Sequence, residues 1–338
     1  MLSVAAGAII LLTLTTACSS GSGGGNSLQA ALGRVSDTAN TRTQIWYDDT
    51  AALVKLAGRA WASQTGFALL RGMGAFNLAP EAELLPAGPG INLLNEDYAI
   101  SAGQPPREVG LVEGGQDAGR IKSGLSRLGW KPAGGKLVAP PAGSVRGSTA
   151  AGPSYTLHLA QVMVSGADVS YGDSQADLSQ IGQPSGQTLA QDPRISALAD
   201  CLGNVVAASI GIYNGGEQPA PAEVAVGIRS PASNTAAPRA VACVSWPSAA
   251  AASTYQANLR KALLGGGMSL TRDEPFSRLL TRATLHNVGG AQHVIAWQAA
   301  TPGNAILVFS LLASEDLPAL PDCRSLPPTD QGHISGCS

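Results

Sequence analysis

The sequence is short of charge. Asp, Glu, Lys and Arg make up 13% of its 338 residues, about half the usual share. Net charge is −2, with no basic block and no Arg/Lys stripe interleaved with aromatics, which excludes nucleic acid as an expected partner. Aromatic residues are scarce too, at 4%. No apolar run reaches the roughly 20 residues that cross a bilayer. No CxxC occurs, and apart from His333 no histidine lies near a cysteine, which speaks against a thiolate metal centre. The motifs G-x-S-x-G, S-x-x-K and H-E-x-x-H are absent; Gly182-Gln183-Pro184-Ser185-Gly186 comes nearest and has its serine one place late. The sequence therefore names no reaction and no cofactor, and it leans away from an enzyme. Hydrophobic residues nevertheless reach 44% and fall in distinct elements. The chain is a folded, loop-rich one, long enough for one large or two modest domains.

Val4 to Leu14 is an unbroken apolar run followed by Thr15-Thr16-Ala17-Cys18. A run this short suits the core of a signal peptide. A small residue before a lone cysteine resembles the lipobox of bacterial lipoproteins, whose cysteine is diacylated and becomes the new amino terminus. Thr15 stands where that motif usually has Leu or Val, and the first basic residue is Arg34. The resemblance implies a signal peptide over 1–17, lipid on Cys18, and a membrane partner reached through that lipid on the extracytoplasmic face. Residues 18–27, rich in Gly and Ser, then read as a flexible tether, with a root-mean-square reach of about 16 Å.

With Cys18 lipidated, Cys201, Cys243, Cys323 and Cys337 remain, an even number in an oxidising compartment. Four cysteines allow three pairings; the nearest in sequence are Cys201–Cys243 and Cys323–Cys337.

Periodicity and turn residues predict a helix opening near Leu28, a strand over 44–47, and a helix capped by Asp49 or Thr50. Strands follow over 98–102 and 109–112, then a helix from Asp117 to Gly129 and a strand over 136–139. Pro140 to Pro153 is rich in Pro and Gly and marks a candidate boundary. It divides the chain into modules over 28–150 and 151–338. In the second, strands are expected over 159–164 and 168–171, and a helix starts at Asp192-Pro193. Further strands are expected over 205–213, 224–228 and 241–244, then a helix from Ser248. Strands over 284–288, 293–298 and 305–311 and a Pro-rich tail close the chain. Hairpins with interspersed helices point to an α+β fold, mainly antiparallel, with helices on one face and two related halves.

Three phrases, Tyr98-Ala99-Ile100-Ser101-Ala102-Gly103-Gln104-Pro105-Pro106, Leu198-Ala199-Asp200-Cys201-Leu202-Gly203-Asn204-Val205-Val206 and Val226-Gly227-Ile228-Arg229-Ser230-Pro231, resemble a family of actinobacterial cell-surface lipoproteins. The resemblance implies surface location and a soluble α+β ectodomain, and brings no catalytic residues. Three function classes fit: a binding or envelope-accessory lipoprotein, a transporter's solute-binding component, or a hydrolase assembled from scattered residues.

Candidate site residues are few. A Gly289-Gly290 turn would set His286 directly across from His293, where two imidazoles can hold a metal; a solvated edge pair is the simpler expectation. His158 reads as structural. The acidic doublets Asp48-Asp49, Glu96-Asp97, Asp273-Glu274 and Glu315-Asp316 read as helix and turn caps. Trp46, Trp61, Trp130, Trp246 and Trp297 read as core anchors, with room for a ligand platform among them.

Overall fold

Local signals set most element starts. Asp49 Oδ1 accepts from Ala52 N–H at 2.8 Å and opens a helix over Thr50–Ala57. Asp117 accepts from Arg120 N–H and caps Ala118–Leu128, which stops at left-handed Gly129. Asp192 accepts from Arg194 and Ile195 N–H ahead of Pro193–Leu202, and Ser248 caps Ala249–Leu264. Each supplies an acceptor to N–H groups that the first turn leaves unpaired.

The computed structural model describes residues 27–58, 66–141, 155–212, 223–233 and 235–320. Cys18, the tether before Ser27, Trp61 and the Cys323–Cys337 pair lie outside these residues. In chain order the elements are α1 (Ser27–Leu32), β1 (Gln44–Asp48), α2 (Thr50–Ala57), β2 (Tyr98–Ala102), β3 (Val109–Glu113), α3 (Ala118–Leu128), β4 (Lys131–Ala133), β5 (Lys136–Val138), α4 (Tyr155–His158), β6 (Gln161–Ser165) and β7 (Asp168–Gly172). They continue with α5 (Pro193–Leu202), β8 (Val205–Gly211), β9 (Glu223–Arg229), β10 (Arg239–Ser245), α6 (Ala249–Leu264), β11 (Met268–Ser269), β12 (Glu274–Pro275), α7 (Phe276–Leu279), β13 (Thr281–Gly289), β14 (Val294–Ala300) and α8 (Leu307–Ala313).

All strands but β11 and β12 join one open sheet of 12, in the order β13-β14-β10-β9-β8-β1-β2-β3-β7-β6-β5-β4. The fold is α+β with a large antiparallel sheet. Its order is mirrored about the seam between β1 and β8. Outward from the seam each half runs first, second, third, last and last-but-one strand. The helices repeat as well: one precedes the first strand (α1, α5), one follows the third (α3, α6), and a short one precedes the last two strands (α4, α7). The seam itself is antiparallel, Gln44 opposite Gly211 and Asp48 opposite Ala207.

The sheet does not divide at 140–153. That stretch separates β5 from β6, which pair with each other, and β7 of the expected second module pairs with β3 of the first. The repeated pattern instead changes over between β7 and β8. Helices cover both faces of the sheet, not one. Because strand side chains alternate, each face presents its own apolar set. On one face Leu28 and Leu32 of α1 and Leu198 and Leu202 of α5 pack on Ile45, Ile100 and Ile210. On the other, Ile121 and Leu125 of α3 pack with Val112 and Tyr171, and Leu259 and Phe309 belong to the cluster of Val226, Val244 and Trp297. Residues 305–311 are also not a strand. The edge of β14 is already taken by β13, and the run forms α8 with Leu307, Val308, Phe309 and Leu311 buried. A short apolar run without alternation fits either state, and here packing decided.

Cys201 on α5 and Cys243 on β10 are bridged, with Cα atoms 6.2 Å apart. The bridge fastens α5 to the second half of the sheet.

Candidate functional site

Two features stand out on the face that carries α3, α6 and α8. The first is a cavity of about 470 Å³ at the seam. Trp46 of β1 forms its floor. Phe76, from the long β1–β2 connection, stacks on that indole with ring centroids 4.2 Å apart and planes 6° apart. Phe309 of α8 tilts against it at 6.2 Å from the other side of the seam. Met73, Ile212, Ile306 and Leu312 add apolar wall, and Thr43, Gln44, Gln104 and Ser310 supply polar groups. Among the described residues the lining contains no Lys, Arg or His, and its one charged member is Glu315. Phe76 is 41% and Ile212 47% exposed, so the cavity opens to solvent between them and the exposed Ala313. Offset-stacked aromatic rings over an apolar floor with a few polar groups are the usual make-up of a small-molecule site.

The second feature is a buried polar cluster under the same β1–β2 connection. Asp48, Glu96, Glu108 and Asp173 are all at most 4% exposed. Asp48 Oδ1 accepts from Gly74 N–H at 2.6 Å. A Cβ at Gly74 would sit 2.1 Å from Ala99 O and 2.7 Å from Asp48 Oδ1, so only glycine allows this approach. Thr50 Oγ1 lies 2.9 Å from Asp48 Oδ2 and 3.2 Å from Glu96 Oε1. Across the sheet, Glu108 and Asp173 flank β3 and β7 side by side, and Asp173 N–H donates to Glu108 O at 3.2 Å. Asn77 Nδ2 donates to Glu108 Oε2. His158, at the end of α4, places Nδ1 3.0 Å from Asp173 Oδ1. The phenol of Tyr171 feels the charge of both groups of carboxylates, Glu108 and Asp173 on one side and Asp48 and Glu96 on the other. Its ring fills the space above Gly110, where a Cβ would lie 2.1 Å from Cζ, and its hydroxyl is buried with no hydrogen-bond partner.

Burial dominates the electrostatics. It pushes Asp48 and Glu96 upward, each made less acidic still by a neighbouring negative charge. Glu108 rises to about 7, first through burial and then through Asp173. His158 is raised by its hydrogen bond to Asp173, against burial, with further help from the charges of Asp173, Glu108 and Glu81. Removing carboxylates from water favours their neutral form, and crowding like charges adds to it.

The structure separates the two histidines that the hairpin reading joins. His286 stands opposite Ala296, not His293. The connection is longer than two residues because Gly289 already pairs with Val294, and His293 is left-handed, at φ 46°. Trp246 N–H holds the turn through Gln292 O at 3.2 Å. His286 instead meets Thr284 Oγ1 at 3.3 Å. Among the acidic doublets, Asp49 caps α2 as expected. Asp316 collects the N–H groups of Leu270 and Thr271 at 3.0 and 2.9 Å. Asp48 takes the N–H of Gly74 in the β1–β2 connection rather than opening the helix that follows it, and Glu96 meets Thr50 Oγ1, so both lie in the cluster. Trp246 and Trp297 are core residues, as is Trp130, whose Nε1 donates to Leu159 O at 2.7 Å; Trp46 alone among the described tryptophans lines the cavity. Sequence reasoning did not single out Glu108 and Asp173, and it read Glu96 as a cap. Compared with known proteins, the chain matches no family model, no curated protein and no solved structure.

Proposed function

We propose that this chain is the ectodomain of an extracytoplasmic lipoprotein, tethered to a membrane through Cys18, and that it binds a small neutral amphipathic molecule in the seam cavity. The observation that carries the binding is the Trp46–Phe76 stack. In a chain with so few aromatics, two lie parallel at an open cavity and a third tilts against Trp46. A buried ring pair of this kind would serve the core; Phe76 is 41% exposed. The described lining has no basic side chain to hold an anionic headgroup, and its glutamine and hydroxyl groups suit a hydroxyl or amide one. The Cys201–Cys243 bridge supports an oxidising compartment.

The test uses N-phenyl-1-naphthylamine, a neutral fluorescent probe. Saturable binding on the order of 10 µM or tighter is expected. Ala313→Trp, at the exposed mouth, should fill the cavity and abolish it. No saturable binding, or equal binding to the variant, overturns the ligand reading. The tether is tested apart from it. Cys18→Ala should release the protein or leave it unprocessed, and should lose fatty-acid labelling; labelling of that variant would sink the lipoprotein assignment.

A further inference from the structure

We propose that Glu108, His158 and Asp173 form a binding site for one zinc-class divalent cation. The inference is independent of the cavity and of its ligand.

One ligand atom from each residue lies within 4.8 Å of the other two. A bound zinc holds its ligands at about 2.0–2.2 Å, so their mutual distances would be roughly 3–4 Å. His158 Nδ1 and Asp173 Oδ1 are already 3.0 Å apart, and the remaining closure is within the reach of side-chain torsions.

The unused binding capacity points to a ligand. Among the described residues Glu108 Oε1 and Asp173 Oδ2 are buried and have no hydrogen-bond partner, and the same holds for Tyr171 OH beside them. Groups of this kind are costly unless something satisfies them. No Lys or Arg among the described residues forms an ion pair with Glu108 or Asp173; His158 is the one cationic partner. Glu81 faces the same imidazole and adds negative charge, while Lys136 lies beyond Gln161, whose Oε1 accepts its ammonium. A divalent cation would settle both the charge and the open oxygens.

The surroundings also hold the ligands in place, as outer-shell groups do in metal sites. Asn77 fixes the second oxygen of Glu108. Gln161 Nε2 donates to the backbone oxygens of Asp173 and Ala176 at 3.0 and 2.9 Å, pinning the turn that carries Asp173. Entry is from the side of His158, whose side chain is 17% exposed against 6% for Asp173. Two carboxylates and one imidazole suit zinc better than calcium or magnesium, which take all-oxygen shells. Three protein ligands leave a coordination position for water.

The experiment is zinc titration of the purified full chain after EDTA treatment, by calorimetry and by metal analysis after dialysis. One zinc per chain is expected, together with a higher melting temperature. Glu108→Gln and His158→Gln should each weaken binding at least about 10-fold, with the circular dichroism spectrum unchanged. Ala313→Trp should bind zinc as the wild type does, which keeps this test apart from that of the cavity. Failure to bind zinc at micromolar concentration overturns the proposal, as does equal preference for calcium. Zinc binding that survives both variants but is lost in His286→Gln/His293→Gln overturns it as well and places the metal on the exposed hairpin. Should His158→Gln fail to fold, Glu108→Gln, which removes a buried charge, decides alone.

Discussion

Asp48 and Glu96 reach the same hydroxyl: Thr50 Oγ1 is 2.9 Å from one carboxyl and 3.2 Å from the other. A hydroxyl has one proton to donate. Two full hydrogen bonds at one hydroxyl are met when one carboxyl is protonated and donates in return, and burial favours that neutral form. The folded pair therefore holds a proton that the unfolded chain, with ordinary carboxyls, releases.

That proton sets a pH dependence. Folding raises Asp48 and Glu96 above the ordinary carboxyl values of 3.8 and 4.5, so the stability linked to them is full below about pH 4 and is lost as pH rises through their folded values. Glu108, raised to about 7, and His158, raised from 6.5, act in the same direction. In EDTA, thermal unfolding should show a lower melting temperature at pH 8 than at pH 5. Glu96→Gln should flatten the slope and raise the melting temperature at pH 8 relative to the wild type. A melting temperature that rises toward pH 8 would contradict the shared proton.

Gly110 is predicted to be irreplaceable because of Tyr171. Gly110→Ala sets a methyl 2.1 Å from Cζ and 2.4 Å from the hydroxyl of that ring, and overpacking of this kind costs about 2–3 kcal/mol. Urea unfolding should show the loss, and Tyr171→Leu in the same chain should recover part of it. Strict additivity of the two changes would mean that the ring and the glycine do not meet.

The Cys201–Cys243 bridge closes a separation of 42 residues, for which chain entropy gives a stabilisation of about 4 kcal/mol. Cys243→Ala with Cys201→Ala should lose roughly that much by urea unfolding. Non-reducing peptide mapping of exported protein should show 201–243, and 323–337 for the remaining pair. A map with 201–323 would contradict the bridge.

Much of the scaffold was legible in local chemistry. Asp49, Asp117, Asp192 and Ser248 announce their helices, and β2, β3, β7 and β10 lie where alternation and turns put them. The mirrored halves were visible as a repeated strand and helix pattern, but their boundary was not. Pro and Gly enrichment at 140–153 signals a break in the chain's local structure, and strand pairing alone decides whether a sheet continues across it. The site was less legible. Glu108 precedes an apolar strand and Asp173 follows one, and neither position carries a local sign of burial. What joins them is the pairing of β3 with β7, a long-range fact. Asp48 did carry a sign. It shares strand parity with Trp46, so it points to the same covered face, whereas its neighbour Asp49 was free to cap.

The mirrored strand order makes the molecule resemble a homodimer written as one chain. Either half alone would present the bare edge of β1 or β8, and the natural complement of such an edge is a second copy. Joined by a connection, the halves meet at an effective concentration set by the chain, so dilution cannot part them. In a true symmetric dimer the walls of a cavity on the axis would have to be identical. Here one wall brings Phe76 and the other Phe309 and Ile306. Within one chain the two walls need not match, so the two ends of the cavity present different side chains.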